Sequence, residues 1–351
     1  MYPFRRKVGR YMLIPAIALF SRTVSAQTNS GGVPMSPPAS STCMNLPHAD
    51  HPMARISNGK LSAVIFLPDK DHGFYRASRF DWAGIVGCAS LDGHTFFGEW
   101  FKKYDPMSND AVAGPAEEFR HPTSELGYDE AAPGGLFVKI GVGVVRRIDD
   151  SPYRFGGAYP IVDNGRWKVK VHKRSIHFRQ ELHSPMGFAY IYEKVLSLDE
   201  HGNVLSLEHH LKNIGTKSID TAVYDHDFFM LDNKTTGPDM KIHLPWTPVP
   251  DSALPSSAQI TGTTIQFVSQ LQPQHGVGSY LTGYSDKVSD YDILFEDRST
   301  KLGVEQTSDS PINKFYLWAT PKTVCPEAYI AIHVAPGKSQ EWTIHYRFFT
   351  N

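Results

Sequence analysis

From residue 53 onward the chain is a series of short apolar runs, broken at close intervals by turn residues. Arg55–Leu67, RISNGKLSAVIFL, reads as two strands joined at Ser57-Asn58-Gly59, because Asn-Gly between alternating apolar positions is a strong hairpin signal. Further strands are expected at Leu136–Val145, Trp167–Val171, Ser175–Leu182, Ala189–Leu198 and Val204–Leu211, with Asp199–Asn203 as the turn between the last two. Ser218–Phe229, Thr263–Val268, Phe315–Ala319, Tyr329–His333 and Glu341–Phe349 complete the series. Long helical periodicity is absent, and Gly98–Tyr104 is the best short candidate for a helix. Many strands with turns between them predict an all-β sandwich or barrel. No fixed-period repeat appears, which weighs against a propeller or β-helix. The expected architecture is one large antiparallel β-domain over residues 53–351.

The N-terminal segment has a different pattern. Arg5, Arg6, Lys7 and Arg10 precede the apolar run Tyr11–Phe20, and Val24-Ser25-Ala26 follows as a cleavage-like site. That arrangement reads as an export signal over residues 1–26, with an apolar run too short to span a bilayer. The expected location is periplasmic or secreted. Residues 27–52 are rich in Ser, Pro and Gly and are expected to form a flexible linker. Of the three cysteines, Cys43 falls in that linker, so Cys88–Cys325 is the expected disulfide in an oxidising compartment.

Charge removes several functions. Lys+Arg 35 against Asp+Glu 36 leaves a formal net charge of −1, with no basic face for nucleic acid and no field for an anionic membrane. Aromatic residues make up 12% of the chain, which suits pleated sheets and also suits sugar C–H faces. On composition alone an ordinary aromatic core is favoured over a sugar-binding surface.

The chemistry concentrates in Asn213–Asn233, NIGTKSIDTAVYDHDFFMLDN, where His226 sits between Asp225 and Asp227 in a β-like run and Phe228 and Phe229 follow. In a regular strand both aspartates face away from His226, where they hold loops or the substrate. Arg76 and Arg79 lie in an aromatic stretch; if it is extended they point to opposite faces, and Arg79 is preferred as the substrate ligand. Trp82 and Tyr75 are candidate sugar platforms, as against ordinary core residues. His209-His210 beside Asp225-His226-Asp227 is a weak metal pattern, since adjacent histidines on a strand face opposite ways, and no metal is expected. The acidic pair Glu117-Glu118 reads as a solvated turn rather than a glycosidase carboxylate pair.

Three segments, in order, carry a family resemblance. They are Gly73–Val86 with its arginines, Val204–Asn233 with Asn213-Ile214-Gly215 before the His226 strand, and Cys325–Phe348 with Glu327, a Pro336-Gly337 turn and a final strand through Tyr346 and Phe348. With these, the chain resembles the galactose mutarotase-like (aldose 1-epimerase-like) superfamily over most of residues 53–350. The resemblance implies a β-supersandwich and acid/base chemistry at a sugar, with His226 as acid and Glu327 as base, a carbohydrate partner (monosaccharide or glycan), no cofactor, and a monomer or small homo-oligomer. The arginine segment, Tyr75-Arg76-Ala77-Ser78-Arg79-Phe80, departs from the fuller motif of ordinary aldose 1-epimerases, and His121 is the nearest candidate for the family's earlier substrate-binding histidine. The chain thus looks like a divergent branch. A non-catalytic sugar-binding protein and a polysaccharide lyase or hydrolase on the same fold are the competing expectations.

Overall fold

The computed structural model describes Cys43 and residues 46–350. The expected export signal and most of the expected linker lie outside those residues. Among the described residues no helix is long and apolar enough to cross a membrane.

Two antiparallel sheets form the body. The larger has ten strands, in the spatial order Ala258–Thr261, Thr264–Phe267, Met240–His243, Asp292–Asp297, Leu302–Ser308, Ser339–Thr350, Val204–Asn213, Ala189–Leu198, Ser175–His183 and Arg166–Val171. The second has six, in the order Val249–Pro250, Val277–Thr282, Lys314–Ala319, Val324–Val334, Ile219–His226 and Ala116–Phe119. Smaller sheets of four and three strands are built from residues 53–95 and 136–163.

Period-two alternation explains the layering. In Ser339–Thr350, Trp342, Ile344, Tyr346 and Phe348 are buried while Glu341 and Arg347 are exposed. From the six-stranded sheet, Val223, Phe315, Leu317, Ile330 and Ile332 join the same apolar cluster. Phe119 meets Trp342 and Tyr192 edge-on across the layers, at centroid distances of 6.1 and 5.3 Å. One face of the six-stranded sheet is therefore spent on the core, and its other face is free to build a site.

The hairpin at Asn58-Gly59 forms as expected: Met53–Ser57 pairs with Leu61–Phe66, Gly59 has φ +95°, and Asn58 Oδ1 accepts from the Lys60 and Leu61 amides. Leu136–Val145 is two strands, Leu136–Lys139 and Gly143–Arg146, folded on each other. Gly98–Tyr104 is not helical. The disulfide joins Cys43 to Cys88, and Cys325 is a buried free thiol. The low-complexity composition around Cys43 concealed a residue that is pinned to the domain and fully buried beside Val64.

Candidate functional site

His226 ends the strand Ile219–His226. Tyr224 pairs with Tyr329 on the neighbouring strand Val324–Val334, so extending that register by two residues sets His226 opposite Glu327. Glu327, expected just ahead of a strand, lies inside one. Both side chains point away from the core, and His226 Nε2 lies 3.4 Å from Glu327 Oε1. Their exposures are 4% and 3%, so the pair sits at the base of a cleft rather than on its rim. The ring makes its one polar contact through Nε2, because Nδ1 has no partner among the described residues.

The chain bends immediately after this strand. Phe228 adopts φ +48°, a costly conformation for a bulky residue, and its ring stacks on the imidazole at 3.9 Å. A Cβ on Gly114 would lie 2.4 Å from the Asp227 carbonyl oxygen, so only glycine lets residues 111–115 press against this bend. Trp318 stands edge-on to His226 at 5.0 Å, and Trp100 stacks on Phe228 at 5.2 Å. The result is an aromatic wall around one titratable pair.

Burial and charge set the protonation state. Burial pushes the Glu327 carboxyl up from 4.5 to about 8, against the opposing pull of Arg79 and Arg120. Burial, reinforced by the same two arginines, holds the His226 imidazole well below its usual value. At neutral pH the pair therefore carries one proton, and in the free cleft it resides on Glu327.

Arg79 enters from the loop between Leu61–Phe66 and Ile85–Leu91 of the four-stranded sheet, and three of its five N–H donors are taken. Its Nε donates to Glu118 at 2.9 Å, Nη1 to Asp110 at 2.7 Å and Nη2 to the Tyr224 hydroxyl at 3.2 Å. Tyr224 in turn donates to Glu118 at 2.6 Å. Glu118 faces the cleft from Ala116–Phe119, opposite Tyr224, while Glu117 faces the core. The Glu117-Glu118 pair is thus not a solvated turn but a buried strand whose carboxylates serve opposite faces.

Several expected substrate ligands lie elsewhere. Asp225 faces the core as alternation predicts; together with Asp227 it is bonded to the Tyr346 hydroxyl, which also accepts from Gln306. One hydroxyl proton cannot serve both carboxyls, and burial raises Asp225 to about 8 and Asp227 well above its usual value. Asp225 is therefore a core residue, not a sugar ligand. Trp82 is buried and donates to the Ala77 carbonyl, which makes it structural. Arg76 turns to the Asp71 carbonyl. His121 Nδ1 accepts from the Thr123 and Ser124 amides in a turn that lines a different hollow. Tyr75 donates to Asn109 and supports the Arg79 and Phe80 amides, a scaffold role.

The cleft encloses about 260 Å³ and is lined by His226, Glu327 and Arg79 with Asp110, Trp100, Trp318, Tyr316, Phe155 and Arg120. Sequence reasoning missed the last six and Glu118. Tyr316 and Trp318 left a signal: in Lys314–Ala319 the residues Phe315, Leu317 and Ala319 point to the core, so Lys314, Tyr316 and Trp318 share the opposite face. Arg120 left none. A larger groove of about 630 Å³ lies on the ten-stranded sheet, lined by charged residues such as Lys168, Glu193, Glu208 and Glu341. It also holds a histidine–carboxylate contact, His210 Nδ1 to Glu193 Oε2 at 3.4 Å, but both side chains are open to solvent, unlike the buried His226–Glu327 pair. Among the described residues no cluster of His, Cys, Asp or Glu is arranged to hold a metal ion; His209 instead stacks on Trp342 and contacts Glu117.

No protein-family model matches the sequence, and no curated protein matches it. Solved structures do match the fold. A protein of Escherichia coli K12 provisionally named as an aldose 1-epimerase superposes with a TM-score of 0.54 at 13% identity, covering 85% of this chain and 99% of its own. The GalM/aldose epimerase homologue of C. elegans gives 0.51 at 13% identity, over 85% and 98%. A galactose mutarotase related enzyme of Lactobacillus acidophilus gives 0.50 at 16% identity, over 85% and 97%. The chain has the galactose mutarotase-like fold, an all-β antiparallel supersandwich.

Proposed function

We propose that this protein interconverts the anomers of a sugar by acid/base-catalysed opening and closing of the ring. The observation that carries the proposal is the His226–Glu327 pair, set 3.4 Å apart at the base of an aromatic cleft. One member takes the proton of the anomeric hydroxyl while the other gives a proton to the ring oxygen. The bond between the anomeric carbon and the ring oxygen breaks, the aldehyde turns about its bond to the next carbon, and closure on the other face returns both protons. No electrons are gained or lost, so no redox partner is needed.

The resemblance makes His226 the acid and Glu327 the base. Burial in the free cleft places the proton on Glu327, the reverse order. Both arrangements satisfy the chemistry, and they interconvert by proton transfer across the same contact. Each such transfer is worth about 10²–10⁴-fold when the pKa values lie near the working pH. Arg79, held by three partners, is positioned to bind sugar hydroxyls without moving. A volume near 260 Å³, below the ~300–1,000 Å³ of drug-sized pockets, suits one ring.

The test is proton NMR of freshly dissolved α-anomers of several aldoses and uronic acids, with and without protein. Faster equilibration supports the reading. Perturbed sugar signals without acceleration would instead favour a binding protein. Export to the periplasm or outside, as the basic and apolar N-terminal segment suggests, is part of the same proposal and is checked by fractionation.

A further inference from the structure

Arg120 follows the strand Ala116–Phe119, and its amide donates to the Ala222 carbonyl at 2.7 Å, which fixes where the side chain starts. The side chain lines the cleft and lies 4.1 Å over the Phe155 ring. Among the described residues its guanidinium has no hydrogen-bond or ion-pair partner, whereas Arg79 beside it has three. Lys314, on the face shared with Tyr316 and Trp318, is in the same condition: its ammonium sits 3.9 Å over the Tyr329 ring and pairs with no carboxylate.

The carboxyls near these cations are otherwise engaged. Glu118 is taken by Arg79 and Tyr224, with Lys139 3.7 Å from its second oxygen. Asp110 is taken by Arg79, and Glu327 contacts His226 and Tyr329. Burial, with Arg120 as the next cause, brings the Lys314 ammonium down to about 8, outweighing the opposing pull of Glu327 and Glu118. Partly buried cations are costly unless paired. In a cleft, the missing partner is supplied by what binds there.

Building on the sugar-site reading above, we propose that the substrate is an anionic sugar, one bearing a carboxylate or phosphate group, and that Arg120 binds this anion with Lys314 beside it. The guanidinium fork can bond two anion oxygens at once, which a neutral hydroxymethyl cannot match. Phe155 under the fork holds its plane and limits the entropy lost on binding.

Methyl glycosides test this directly, because they cannot open and so report binding alone. The probes are methyl α-glucoside, its uronate and its 6-phosphate, titrated against the intact protein and followed by the fluorescence of Trp100 and Trp318. The expected result is that one anionic probe binds at least about 10-fold more tightly than the neutral glucoside, as charge-assisted bonds allow. That preference should shrink as salt rises. Arg120→Ala should reduce the anionic-to-neutral ratio by about 10-fold or more, and Arg120→Lys by less. Whichever anionic probe prevails identifies the anion. Equal affinity for all three probes, no binding of any, or a preference that survives in Arg120→Ala would overturn the proposal. Acceleration of neutral aldoses without anionic preference sinks this inference alone. Anionic preference without anomer exchange leaves it standing and sinks the catalytic reading.

Discussion

Replacing Glu327 by Gln should stabilise the protein at alkaline pH while removing its chemistry. The carboxyl is fully buried and its pKa rises from 4.5 to about 8 on folding. A raised carboxyl binds its proton more tightly in the folded state. Its contribution is therefore fully present below about pH 4.5 and is lost as pH climbs through about 8. The difference of about 3.5 units, at ~1.36 kcal/mol each, sets an upper bound on the order of 5 kcal/mol. Gln imitates the protonated carboxyl: its amide can donate to His226 Nε2 as the acid hydroxyl does, and it does not titrate. Near pH 4.5 the variant and the wild type should agree to within about 1 kcal/mol. Above pH 8 the variant should be more stable by several kcal/mol. Urea unfolding of both proteins across this range measures it. Only the difference is informative, because Asp81, raised by burial to about 7, and Asp225, raised to about 8, lower the stability of both proteins with rising pH. A difference that stays flat, or in which the wild type gains on the variant as pH rises, would refute the one-proton description of the pair.

Three further expectations follow from the same geometry. Anomer exchange in the wild type should fall away above about pH 8, where the pair loses its proton, yet persist below pH 6 because burial keeps His226 neutral there; a pH–rate profile shows it. Replacing both Cys43 and Cys88 by Ala should cost up to ~4 kcal/mol, the chain-entropy value for their separation of 45 residues, read by thermal or urea unfolding. Tyr346→Phe leaves Asp225, Asp227 and Gln306 short of a shared partner in the core and should cost about 1–3 kcal/mol, again by urea unfolding, with both sheets retained by circular dichroism.

Much of the sheet framework is legible because alternation is a local signal: Ala189–Leu198 and Val204–Asn213 carry it over ten residues each. Ala116–Phe119 is not legible. Four residues with two adjacent glutamates have no strand signature, and only Arg79 on one face with Lys194 and His209 on the other make it a buried strand. The site follows the same division. His226 and Glu327 stand out in strands whose order resembles a family, and alternation alone turns Asp225 to the core. Arg76, Trp82 and His121 carry the right chemistry in the wrong place, since each is claimed by a nearby backbone group. Arg120 and Trp100 reach the cleft from segments without regular structure, whose paths depend on packing against distant strands. Cys43 was hidden for a similar reason: low-complexity composition says nothing about a single covalent anchor.

The most direct test of the account is the rate of anomer equilibration, by polarimetry or NMR, for the wild type, His226→Ala and Glu327→Gln on the sugar the wild type prefers. The account predicts that each variant loses at least about 10²-fold while still binding methyl glycosides, and that the double variant loses little more than either alone, because the two groups act as one unit. A wild type that accelerates no sugar, or variants that keep full rate, would contradict it.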